Sequence, residues 1–124
     1  IVKQIKKDNF PFGVIVSPDI NQNQEYNDFL VLLEYLETYK IKALFVMQDL
    51  NPYAFANNRE EANKLMQIIK SKVLENNFEY LDMWSNKKED YEIGTLTDIV
   101  HMGELGWVRI NQAIINHFMK NKEN

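Results

Sequence analysis

Two short segments that read as strands, the first of them a continuous apolar run, set the terms on which this chain can fold. Ala43-Leu44-Phe45-Val46-Met47 is continuous and bounded by polar residues, and the segment Phe78 to Met83 comes directly after an amphipathic stretch. A continuous run this short suggests a strand buried on both faces rather than a helix. Helical periodicity surrounds both segments. From Glu25 to Tyr39, Phe29, Leu32, Leu33 and Leu36 recur at three- and four-residue steps, with Asn27 or Asp28 as the expected cap. From Arg59 to Asn77, Ala62, Leu65, Met66, Ile69 and Val73 form one stripe opposite Lys and Glu. A last helix is expected from Glu104 or Leu105 to Met119, with Val108, Ile110, Ile114, Ile115 and Phe118 available for packing. Alternation of helix and strand in this order argues for an α/β sandwich around a parallel sheet. Gly13 to Val16 is a further short strand by expectation, and Trp84 to Thr97 reads as a polar connection containing Gly94.

Composition removes several functional classes. The formal net charge is -4 and Lys6-Lys7 and Lys87-Lys88 are isolated pairs, so no basic block tracks a phosphate backbone and no nucleic-acid partner is expected. The chain has no Cys, which excludes disulfides, thiolate catalysis and Cys-ligated zinc. His101 and His117 with scattered carboxylates give no metal-ligand spacing, and no metal or cofactor is expected. No apolar run approaches the roughly 20 residues of a membrane-spanning helix. The chain opens on Ile1 rather than Met, so it is expected to be a fragment with any targeting segment upstream.

The informative window is Asp98-Ile99-Val100-His101-Met102-Gly103-Glu104-Leu105-Gly106-Trp107, directly before the last helix. Imidazole is the side chain best suited to moving protons near neutral pH. A carboxylate on one ring nitrogen fixes the tautomer and leaves the other nitrogen to act as base. Asp98 is three residues before His101, within one turn, so a hydrogen bond between them is expected. Gly103 and Gly106 permit tight backbone around the pair, and Trp107 is expected to pack under the loop and hold it rigid. Asn51, in a loop after the first apolar run, has two readings. It can begin a turn before Pro52, or its amide can donate to an oxyanion or a substrate. Tyr53, Trp84 and His117 read as packing residues.

These residues carry a resemblance to the DltD family, whose members transfer D-alanine in teichoic-acid modification, and through it to SGNH-type serine hydrolases. In that group the Asp and His of a Ser-His-Asp triad lie three residues apart near the C-terminus, and the nucleophilic Ser lies far upstream in a Gly-Asp-Ser block. Asp98, His101, Gly103, Gly106 and Trp107 match the final segment. Glu25-Tyr26-Asn27-Asp28-Phe29-Leu30 is similar to the start of the family's helix, and Leu44-Phe45-Val46 followed by Asn51 is similar to its strand and Asn loop. The family usually has a Pro between strand and Asn, and an aromatic pair soon after. Here the stretch is Gln48-Asp49-Leu50-Asn51-Pro52-Tyr53, with Tyr53 and Phe55 at shifted spacing.

The resemblance implies that residues 1–124 are one α/β domain, the C-terminal portion of a three-layer, SGNH-hydrolase-like (flavodoxin-like) sandwich. It implies catalytic Asp98 and His101 and a parent protein on the extracytoplasmic face of the membrane. That protein would be held by an anchor upstream and would act on a D-alanyl donor and a teichoic-acid polymer. Ser17, Ser71 and Ser85 are the chain's serines and none stands in a nucleophile setting, so the chain by itself is expected to show no hydrolase activity. The competing reading is a non-catalytic α/β binding module of the cell envelope. A receiver-like domain also fits the length and alternation. Val14-Ile15-Val16 runs into Ser17-Pro18 rather than the acidic pair that such a domain requires.

Overall fold

The computed structural model describes residues 19–53, 59–85 and 87–120. The strand expected at Gly13 to Val16, Ser17 and Phe55 lie outside the described residues. Among the described residues three helices and two strands alternate: α1 (Gln24–Thr38), β1 (Leu44–Met47), α2 (Arg59–Glu75), β2 (Glu79–Asp82) and α3 (Glu104–Lys120). The strands pair in a parallel two-stranded sheet, so the fold is mixed α/β as the alternation implies. Both strands are shorter than the segments expected to form them, Ala43 to Met47 and Phe78 to Met83. All four β1 residues are half-buried rather than buried on both faces.

The chain divides into two compact units, and the division runs through both strands, between Phe45 and Val46 and between Tyr80 and Leu81. The unit that holds α1 and α2 is organised by apolar side chains. Leu33 and Val73 are completely enclosed, with Tyr26 and Ala62 also buried. Phe45 sits edge-on to Phe29 at 6.1 Å and tilted against Phe78 at 5.7 Å between ring centroids, a geometry aromatic rings prefer. Helix α1 begins one turn earlier than Asn27. Asn23 has the extended backbone of a cap, and its Oδ1 accepts from the Tyr26 amide at 2.7 Å.

Helices α1 and α2 stop in the same way. The Lys40 and Ile41 amides donate to Glu37 and Leu36 carbonyls, and the Asn77 and Phe78 amides donate to Leu74 and Val73 carbonyls. Lys40 and Asn77 are left-handed, with φ of 53° and 59°. This paired reverse bonding satisfies the last carbonyls of each helix and turns the chain toward the next strand.

The other unit, within the described residues, holds 46–53, 81–85 and 87–120. Its centre is the segment expected to be a polar connection. Trp84, Tyr91, Thr95 and Leu96 are all buried there, along with Asp49, Asn51 and Pro52. Trp84 is a packing residue, as expected, and Tyr53 rests edge-on against Tyr91 at 6.2 Å. Helix α3 buries Gly106 and Ile110. That inward face leaves Val108, Ile115 and Phe118, expected to pack, more than half exposed. Trp107 is 56% exposed, so it does not lie under the loop, because Gly106 occupies the inward position beside it.

Candidate active site

Asp98 to His101 form the tip of a narrow loop. Leu96 and Met102 make an antiparallel bridge, and the Thr97 amide donates to the His101 carbonyl at 2.9 Å. The Thr97 hydroxyl donates to the same carbonyl at 3.2 Å, and the Gly103 amide donates to Thr95 at 2.8 Å. A turn closed by the Thr95 amide on the Glu92 carbonyl feeds this ladder, with Gly94 at φ 99°, where a side chain would be strained. The motif's glycines serve a related purpose. A Cβ on Gly103 would strike the Gly94 carbonyl, and one on Gly106 would strike the Thr95 carbonyl and the end of Met102. Main chain from residues 94 to 96 therefore passes directly over the start of α3.

Inside the tip the carboxylate organises the backbone. Asp98 Oδ1 accepts from the Val100 and His101 amides, each at 2.9 Å, and Oδ2 lies 2.7 Å from His101 Nδ1. The contact expected from the Asp-x-x-His spacing is thus present. The amides of His101 and Val100, and then the imidazole, hold the Asp98 carboxyl down to about 2 from an ordinary 3.8. At neutral pH it is therefore ionised and can only accept, which makes Nδ1 the donor and leaves Nε2 as the free nitrogen of a neutral ring. The His101 side chain is 77% exposed and that of Asp98 44%, so the pair stands open at the surface.

The outside of the tip is held from below. The Gln48 side chain donates to the Val100 carbonyl at 2.9 Å, the Asn51 amide donates to Ile99 at 3.0 Å, and Asn51 Nδ2 donates to Asp98 at 3.3 Å. Three consecutive carbonyls thus turn toward residues 48–51 while the amides of 100 and 101 turn inward to the carboxylate. Asn51 is 1% exposed, and its Oδ1 accepts from the Tyr53 amide at 3.0 Å, the turn expected of Asn before Pro52. Its amide nitrogen faces the Asp98 carbonyl instead of an open site. Gln48 and Thr97 were not singled out from sequence. Neither lies in a motif, and the Asx-turn signal at Asn51 was the one local hint of this contact.

The remaining candidates lie elsewhere. Ser71 is in α2 and exposed, and Ser85 donates its hydroxyl to the Lys87 carbonyl at 2.8 Å. Among the described residues, the His101 ring is hydrogen-bonded to Asp98 and to no serine. His117, expected to be structural, is half-buried and edge-on to Phe118 at 5.5 Å. A cavity of about 90 Å³ in the same unit is lined by Asp49, Tyr91, Thr95, Met102, Gly106 and Arg109 among others, and neither Asp98 nor His101 reaches it.

A family model described as DltD protein matches residues 4–119. The chain belongs to the DltD family. The match covers both the helix-strand segments and the Asp98–Trp107 window on which the resemblance rests, and it supports a C-terminal region of DltD. Membership ties this DltD chain to the D-alanylation of teichoic acids, a modification of the cell envelope. No curated protein and no solved structure matches the chain. Among the described residues of this DltD chain, no helix is long and apolar enough to cross a membrane.

Proposed function

We propose that this region supplies the Asp and His of a Ser-His-Asp triad in an SGNH-like, three-layer α/β enzyme. The parent protein, held at the extracytoplasmic face of the membrane, would transfer D-alanyl groups to or from teichoic-acid polymers. The observation that supports it is the Asp98–His101 arrangement: a carboxylate bonded to two loop amides and to Nδ1, with Nε2 directed away from it. His101 then accepts the proton of a serine hydroxyl supplied by another part of the protein as that oxygen attacks the D-alanyl ester carbonyl. It returns the proton to the departing alcohol oxygen. Asp98 holds the tautomer and stabilises the imidazolium that forms in between. Gly103 and Gly106 keep the loop in place, and Trp107, exposed one turn into α3, is available to a substrate or a neighbouring segment.

The test is D-alanine ester content on teichoic acid in cells carrying the full-length protein with His101→Ala or Asp98→Asn. Loss of a positioned general base lowers the rate roughly 100- to 10,000-fold, so both variants should leave esterification near the level of a deletion. Full esterification with a stable His101→Ala protein would favour the second reading, a non-catalytic α/β binding module of the cell envelope. The exposure of the pair and the absence of a serine bonded to His101 among the described residues are what that reading has in its favour.

A further inference from the structure

We propose that Asn51 is a positioning residue for the Asp98–His101 pair, acting with Gln48 as a clamp on the outside of the loop, and that it does not serve as an oxyanion donor. A loop of this kind has two sides. If the carbonyls of 99 and 100 rotate inward, the amides of 100 and 101, which share their peptide planes, leave the Asp98 carboxylate, and the Asp98 carbonyl anchors the start of the same turn. The clamp opposes that rotation at each carbonyl: Gln48 Nε2 holds Val100, the Asn51 amide holds Ile99 and Asn51 Nδ2 holds Asp98. The carboxylate takes what faces it on the other side, two amides and the imidazole. The clamp therefore determines which nitrogen of His101 keeps its proton without touching His101.

Burial decides between this role and direct contact with substrate. Asn51 is 1% exposed, and both ends of its side-chain amide are occupied, Oδ1 by the Tyr53 amide and Nδ2 by the Asp98 carbonyl. A reacting oxyanion would have to displace the Asp98 carbonyl to reach it, and in doing so would release the loop that presents the base.

The catalytic consequence rests on the proposed triad, but the geometric claim does not, and the experiment keeps them apart. Asn51→Asp retains an oxygen for the Tyr53 amide and replaces the donor to the Asp98 carbonyl with an acceptor that repels it, so it opens one of the clamp's three contacts and spares the turn. Gln48→Ala breaks the outer contact at a half-buried position where folding is at little risk. The ring-nitrogen resonances of His101 in ¹⁵N-labelled protein at a pH where the ring is neutral are the readout. The unchanged protein should show a single tautomer with the proton on Nδ1. Asn51→Asp should show a mixture of both, Gln48→Ala a smaller admixture, and D-alanyl transfer in the Asn51 variant should fall on the order of 100-fold, the usual cost of a misplaced catalytic group. Folded variants that keep one tautomer overturn the proposal. If Asn51→Asp does not fold, an unchanged tautomer in Gln48→Ala overturns it equally. Mixed tautomers with full transfer activity would leave the clamp standing and overturn the triad.

Discussion

The two compact units of this chain are held by different forces. In the unit with α1 and α2, the buried residues are Tyr26, Leu33, Ala62 and Val73, and the aromatic rings of Phe29, Phe45 and Phe78 meet in sequence. In the unit with the Asp98–His101 loop, Asp49 and Asn51 are buried with their side chains hydrogen-bonded, alongside Trp84, Tyr91 and Leu96. The first arrangement is non-directional and tolerates a change of rotamer. The second depends on hydrogen bonds that each need a particular distance and angle. Packing gives stability, while the directional contacts give the position of a proton.

Substitutions chosen from each side should break or sharpen this contrast. The largest effect is expected from Leu33→Ala, at a site 1% exposed, which should lower unfolding free energy in urea by about 2–5 kcal/mol. A loss below about 1 kcal/mol would mean that packing does not hold that unit. Next comes Gly106→Ala, whose methyl group collides with the Thr95 carbonyl. It should cost about 1–3 kcal/mol in the same assay and shift the amide resonances of residues 95–103.

A smaller and pH-dependent effect is expected at Asp98. Its carboxyl is held below its unfolded value of 3.8, down to about 2, so its contribution is complete above pH 4 and disappears as pH falls through 2. Protection of the Val100 and His101 amides against exchange, relative to the free-peptide rate at each pH, should fall across that window, and Asp98→Asn should remove this acid step. An unchanged step in the variant would assign it to another group. The least effect is expected from Lys64→Ala, which breaks an exposed pair with Glu60 on α2 and should leave the urea midpoint unmoved.

Much of the apolar unit was legible in the sequence because helical and strand periodicities are local. The stripe from Ala62 to Val73 and the run from Leu44 to Met47 have their expected types, with ends displaced by a few residues. The cap at Asn23 lies outside the periodic stretch, and an apolar run does not by itself set how deeply a strand is buried. The Asp98–His101 contact was legible for the same reason, since three residues span one turn. What joins residue 51 to residue 98 has no such signature, because a backbone carbonyl is the same at every position and no side chain marks the one that will be held. Trp107 and Val108 were misjudged because hydrophobicity alone does not say which face of α3 turns inward. Gly106, with no side chain, claims that face.

The loop's construction also bears on how this family can diverge. Between Asp98 and His101, positions 99 and 100 enter the loop's bonds through main chain: their carbonyls outward and the Val100 amide inward. The side chains of Ile99 and Val100 take no part in these bonds. Among the twenty residues, proline is barred at 100 because it lacks the required N–H. Any other change of side chain at those two sites therefore removes none of the loop's hydrogen bonds.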